Sequence, residues 1–531
     1  MIGLQPTSAR VNRRGSRLIA AVAVALIGHS SVSTAQRASD FFTPGNLVVS
    51  RGVYDNSPLF APYPFVWNND LIDASFGVTS RILLDQITPA GAFVNSLEVP
   101  NSAQPGVPPT KDQMVTSFPS KSELALNLST DGSYLTFMGY VAPVGAADIS
   151  NSNTPAVVDP TNPVTLETYR AVAQVDQHGK FHFTITNAYS GNNGRAAILN
   201  NANGANVIYT AGNAGNGDDP QPDGVVLGAG AQIMTPEVKA IVAQQPGLPA
   251  PVASFNITQL GAPHDKIGKD DNFRGLTIFD DVLYYTKGSG GNGVNTVYFV
   301  DTSGEACPNG VGLPKPGAAL PESPLAFDPS VLSTKGLDPN NMCILKGFPS
   351  TLNSALKKKT TAYPFGIWFA DAHTLYVADE GDGAIADAGQ TPAGLQKWVF
   401  DVPSSSWKRA YTLQTGLGLG ATYSFPGDQA YPTGVNAATG LPWAPITDGL
   451  RNITGRLNGD GTVTIWGITS TVSGNGDQGA DPNKLVAITD VLANTNPAVG
   501  LTESFVSVRT AGFREVLRGV SFTPGTGAIQ P

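Results

Sequence analysis

Short apolar runs broken by Gly, Asp or Asn recur along most of the chain, and five of them share one phrase. It reads ELALNLSTDGSYLTFMG from Glu123, RAAILNNANGANVIYTAG from Arg195 and RGLTIFDDVLYYTKG from Arg274. It returns as FGIWFADAHTLYVAD from Phe365 and RNITGRLNGDGTVTIWG from Arg451. An apolar run, a tight polar turn and a second apolar run predict an antiparallel hairpin. In the copies at Glu123, Arg195 and Arg451 a Gly falls nine or ten positions later, and Leu135, Val207 and Val463 fall at twelve. The copies at Arg274 and Phe365 have shorter turns and keep a Leu-Tyr in the second run, Leu283-Tyr284 and Leu375-Tyr376.

A second pair of runs follows each hairpin, as in AVAQVDQHGKFHFTI from Ala171 or LQKWVFDVPSSSWKRAYTL from Leu395. Four strands per unit, repeated at roughly 60–90 residues, is the pattern of β-propeller blades lengthened by surface loops. The two ends complete each other. Arg518 to Phe522 reads as a first hairpin strand with no partner after it, and Gly45 to Ser50 as a second strand with none before it. A strand over 518–524 joining the N-terminal blade would close the ring without a long free edge. The expectation is an all-β, six-bladed propeller, with room for a seventh blade between Cys307 and Lys359. The blades fall near 45–100 plus 518–524, 121–188, 194–260, 270–350, 363–415 and 445–510. The clearest helical turn is TPEVKAIVAQ, Thr235 to Gln244.

Composition agrees with many short strands. Of 531 residues only 14% are charged and 41% are hydrophobic, with 59 Gly and 41 Pro, which suits neither a disordered chain nor a helical one. The first 35 residues read as a signal peptide. Arg10, Arg13, Arg14 and Arg17 precede the apolar run Leu18 to Ile27, and Ser33-Thr34-Ala35 suits cleavage. The remaining 36–531 is expected to form the propeller, secreted or periplasmic, with no integral membrane segment. Loss of those four arginines takes the formal charge from −9 to −13, which argues against nucleic acid as a partner. The two cysteines, Cys307 and Cys343, are expected to form a disulfide in an exported protein.

The blade holding Leu375-Tyr376-Val377-Ala378-Asp379 and Gly394-Leu395-Gln396-Lys397-Trp398 resembles the repeats of NHL and gluconolactonase-like six-bladed propellers. The likeness is strongest over 363–415 and is a pattern elsewhere. It implies that LYVAD is a second strand followed by an acidic turn at one rim. That superfamily spans lactonases, esterases, lyases and binding scaffolds, so fold resemblance does not choose a reaction.

Aligning the copies sets one leading residue per inner strand around the channel mouth: Arg518, Glu123, Arg195, Arg274, Phe365 and Arg451. Four arginines in an acidic chain form a candidate anion site, because guanidinium forks match carboxylate and phosphate. The competing reading is a set of inter-blade ion pairs to Asp271, Asp280 or Asp371. Asp379, Glu380 and Asp382, in DEGDG, supply oxygens of the kind calcium takes, while Asx-Gly turns account for the same letters. His264, Asp265 and Asp271 form the most reaction-like cluster, as base or metal ligands. Three functions remain open: an exported binding propeller for an anionic small molecule or an extracellular macromolecule, a metal-dependent hydrolase or lyase, and a structural envelope protein.

Overall fold

Six antiparallel four-stranded units stand in a ring in the computed structural model, two of them joined edge to edge by a parallel pairing of Asn256 with Asn341. The structure describes residues 40–53, 77–213, 230–257, 272–321, 341–384, 392–424, 434–473 and 483–527, less short internal stretches. The predicted leader, Glu123, His264, Asp265 and Asp271 lie outside the described residues.

From inside outward, blade 1 is Glu515–Phe522, Leu47–Val53, Val78–Ile87 and Phe93–Glu98. Blade 2 is Asn127–Leu128, Tyr134–Tyr140, Arg170–Asp176 and Phe181–Thr186. Blade 3 is Gly194–Asn200, Val207–Gly212, Ala231–Met234 and Val252–Ile257. Blade 4 is Leu276–Phe279, Val282–Lys287, Thr296–Asp301 and Asn341–Leu345. Blade 5 is Pro364–Asp371, Thr374–Asp379, Gly394–Asp401 and Ser406–Leu413. Blade 6 is Ile446–Leu457, Thr462–Val472, Lys484–Val491 and Val506–Thr510.

The ring closes as the two chain ends predict. The C-terminal strand pairs antiparallel with the N-terminal one, Leu47 opposite Phe522 and Gly52 opposite Val516. It starts at Glu515 and stops at Phe522, so it is longer at its head and shorter at its tail than 518–524. No seventh blade forms among the described residues. The described part of 307–359 supplies the outer strand of blade 4 and the short strand Val311–Gly312 beside it. The helical turn expected at Thr235 to Gln244 is also corrected, because Ile241–Val242 is a short strand running parallel to Ile185–Thr186. Two β-branched residues there gain backbone partners on an open sheet edge, which overrides a weak local preference for helix.

The core is not one mass but a wedge between each pair of neighbouring blades. Ile198, Tyr209 and Ile233 of blade 3 pack on Ile278, Tyr285 and Tyr298 of blade 4. Val48, Ile82 and Leu84 of blade 1 pack on Leu135, Phe137 and Ala173 of blade 2. Trp466 and Leu485 of blade 6 pack on Leu47, Val49 and Phe522 of blade 1. Because both faces of a middle strand are covered, Val207–Gly212, Val282–Lys287 and Thr374–Asp379 are buried at every position. That burial explains near-continuous apolar runs where a one-sided sheet would alternate.

Polar side chains stitch neighbouring inner strands together, most of them from second strands. Ser50 accepts from the Gly519 N–H at 2.8 Å and donates to the Leu124 carbonyl of the next blade at 2.8 Å. Thr286 repeats the device, accepting from the Gly275 N–H at 2.9 Å and donating to the Phe365 carbonyl. Thr136 donates to the Ala197 carbonyl at 2.6 Å. Asn452, itself on an inner strand, donates to the Arg518 carbonyl at 2.6 Å. Gly275 and Gly366 permit this approach, since a Cβ on either would run into the Phe365 or Arg451 carbonyl oxygen.

Candidate functional site

The inner strands give the channel two chemically distinct ends. At one end sit the leading residues Arg195, Arg274, Phe365, Arg451 and Arg518, all buried. At the other sit the turns of the inner hairpins, around a cavity.

At the first end, blades 4, 5 and 6 converge on Glu380. Arg451 places Nε and Nη2 at 3.1 and 2.8 Å from its Oε2, and Arg274 places Nη2 at 3.5 Å from its Oε1. Both guanidinium groups also lie against the Phe365 ring, at 4.7 Å for Arg451 and 5.7 Å for Arg274. Arg195 reaches from blade 3 to the Asn272 side chain and to the Phe273 carbonyl, the latter at 2.8 Å. Arg518 donates to the Ser117 carbonyl at 3.4 Å. The contacts of Arg195, Arg274 and Arg451 reach a neighbouring blade, so these groups act as struts between blades as well as local positive charge. Ser117, which accepts from Arg518, instead lies in a short strand paired within blade 1.

The acidic turn after LYVAD lies in the same place. Thr374–Asp379 is a second strand, as the resemblance implies. Asp379 accepts from the Tyr363 N–H at 2.9 Å, the Gly381 N–H at 3.1 Å and the Gln396 amide at 3.1 Å. Asp448 accepts from the Gly383 N–H at 2.9 Å, and Asp382 from the Ala384 N–H at 2.8 Å. Burial pushes the Asp379 and Asp448 carboxyls up to about 7, and nearby Glu380 adds to the effect in both. The donors on Asp379 and Glu380 are N–H and guanidinium groups. A calcium ion at Asp379, Glu380 and Asp382 would have to replace them, so the arrangement fits a turn clamp better than an ion cage.

At the second end, all six inner strands line a cavity of about 1100 Å³. Its wall includes Asn127, Asn200, Thr277, Trp368, Thr454 and Ser521, one from each blade. Asp280 and Asp281 supply the only charged side chains among its described lining residues. They form the two-residue turn between Phe279 and Val282, with φ of 48° and 55°. In the sequence the arginine end is the one that stands out as a ligand site, because arginine is conspicuous in an acidic chain. The cavity residues lie three to five positions further along the same repeat, and their neutral side chains give no comparable signal.

The cysteines meet as expected. Cys307 and Cys343 are disulfide-bonded, with Cα atoms 5.9 Å apart, and tie the 307 loop to the outer strand of blade 4. No helix among the described residues is long and apolar enough to cross a membrane.

No family model matches the chain, and no curated protein matches it. Among solved structures, three variants of the apocarotenoid oxygenase of Synechocystis are similar at 8–9% identity, with TM-scores of 0.20–0.21. The matches cover 81–84% of this chain and 59% of those chains. The six-bladed architecture therefore rests on the strand pairing itself.

Proposed function

We propose that the protein is a ligand-binding β-propeller working outside the cytoplasm, which takes a small, neutral, hydroxyl-rich molecule at the hairpin-turn mouth of its channel. The observation that carries this reading is the cavity, whose volume of about 1100 Å³ accommodates an oligosaccharide-sized ligand. Amides and hydroxyls from Asn127, Asn200, Thr277, Thr454 and Ser521 offer donors and acceptors without charge. Trp368 and Ile367 offer an apolar surface for the C–H face of a sugar ring. The disulfide supports an oxidising compartment. An anion at the other end of the channel would compete with Glu380 for Arg274 and Arg451.

A thermal-shift screen of the purified protein tests this. The panel holds neutral oligosaccharides, sugar acids, inorganic phosphate and polyamines, each with calcium or a chelator. Ligand at a hundred times its Kd should add about 2.7 kcal/mol. The reading expects a calcium-independent shift with a neutral sugar that Thr277→Trp removes by filling the cavity. A shift confined to anions and insensitive to Thr277→Trp would move the ligand to the arginine end and overturn it.

A further inference from the structure

Lys397 stands in the third strand of blade 5 with no side-chain exposure, and Asp490 stands in the third strand of blade 6, equally enclosed. Lys397 Nζ is 2.9 Å from Asp490 Oδ2. The Tyr376 and Tyr411 rings flank the amine, at 5.8 and 5.3 Å from Nζ. Both tyrosine hydroxyls donate to the Asp490 carboxylate, Tyr411 to Oδ1 at 2.7 Å and Tyr376 to Oδ2. Glu503 lies beside the group: its Oε1 accepts from the N–H of Val491, the residue that follows Asp490, at 3.3 Å.

We infer that Lys397 and Asp490 form an intramolecular isopeptide bond, with Glu503 as the proton carrier. Between the two blades the amine and the carboxylate are held 2.9 Å apart with no side-chain exposure, and proximity replaces external activation. The amine also donates to the Tyr411 hydroxyl at 3.1 Å and the Val491 carbonyl at 2.8 Å. One proton passes from the Lys397 ammonium to the Asp490 carboxylate, which leaves both groups neutral. The amine nitrogen then attacks Asp490 Cγ, and Glu503 takes the next nitrogen proton as it delivers its own to the departing oxygen. The Cγ–Oδ2 bond breaks, one water leaves, and Glu503 ends as it began. Tyr411 holds Oδ1, the oxygen that becomes the amide carbonyl and carries negative charge on the way. Two features support these roles. Burial and the Asp490 contact push Glu503 up to about 7, so it carries a proton near neutrality. Burial also pushes both tyrosines well up, so both stay donors.

Mass spectrometry of the full chain, denatured and reduced, reads the bond directly. The expected mass lies about 18 Da, one water, below that of the linear chain. Trypsin should fail to cut after Lys397 and release a branched peptide joining the segments of Lys397 and Asp490. Glu503→Gln keeps both reacting groups and should restore the linear mass. Asp490→Ala should do so as well, whether or not it folds. A wild-type chain of full linear mass, with ordinary cleavage after Lys397, would overturn the bond and leave a buried ion pair. Loss of water retained in Glu503→Gln would overturn the role given to Glu503.

Discussion

Arg451 grips Glu380 through two nitrogens on one carboxylate oxygen, 3.1 and 2.8 Å away, and so binds blade 6 to blade 5. Arg274 approaches the other oxygen from blade 4. Glu380→Ala would leave two guanidinium groups buried against Phe365 with their carboxylate gone. Breaking one partner of a buried ionic group costs about 3–5 kcal/mol, and urea unfolding should show a loss of that order. Phosphate or citrate should recover part of it in the variant and none in the wild type. Equal anion stabilisation of both proteins would show an anion site beside the carboxylate.

Stability should rise as pH falls from 8 to 5. Asp379 and Asp448 hold their protons to about 7 when folded, against an ordinary value of 3.8. Between those limits the folded state binds more protons than the unfolded one, so stability is lost as pH climbs through the window. Asp85 works in the opposite sense. Its carboxyl is held below the ordinary range by hydrogen bonds and charge from Arg51, Ser96 and Arg509 against the cost of burial. Its contribution is lost only in stronger acid. Asp448→Asn keeps an oxygen for the Gly383 N–H and removes one titration. It should gain on the order of 1–4 kcal/mol at pH 8 and flatten the slope. A Tm unchanged between pH 5 and 8 would contradict the assignment.

The architecture was legible because propeller strands repeat: a turn at a fixed offset from Glu123, Arg195 and Arg451 aligns blades that share little else. Ring closure was legible from Arg518 to Phe522 and Gly45 to Ser50, each half of a hairpin. The chemistry of the channel was less so. The arginines could be placed at one mouth, but the partner of Arg451, Glu380, comes from a turn whose direction depends on packing against Asp448 and Gly449. The cavity could not be read at all, because Asn127, Asn200 and Thr277 resemble any turn-flanking residue until the ring brings them together. Lys397 was in plain view in the repeat of blade 5, yet Asp490 and Glu503 reach it only across the blade interface.

Removing the disulfide should cost more than a surface contact. Cys307 and Cys343 are 36 residues apart, and among the described residues between them Val311–Gly312 pairs with the outer strand of blade 4. Replacing both with Ser should lower stability by about 2–5 kcal/mol. Reductant should reproduce the effect in the wild type and do nothing to the variant. A reductant-insensitive wild type would show that the bridge does not contribute to the measured unfolding.

Asp281 bears on both backbone and ligand. It and Asp280 occupy the left-handed region at φ of 55° and 48°, in a two-residue turn between paired strands. Such turns favour glycine at the second place, since a side chain there is strained. Asp281→Gly should therefore raise stability by up to about 1 kcal/mol. The same change removes a carboxylate from the cavity mouth, so its effect on binding separates ligand classes. A neutral sugar should keep its affinity within about twofold, whereas a polyamine bound through this turn would lose far more. Calorimetric titration of the variant against both ligands distinguishes them. A drop in sugar affinity together with unchanged stability would mean that the carboxylate itself holds the ligand, and that the mouth selects for something other than neutral hydroxyls.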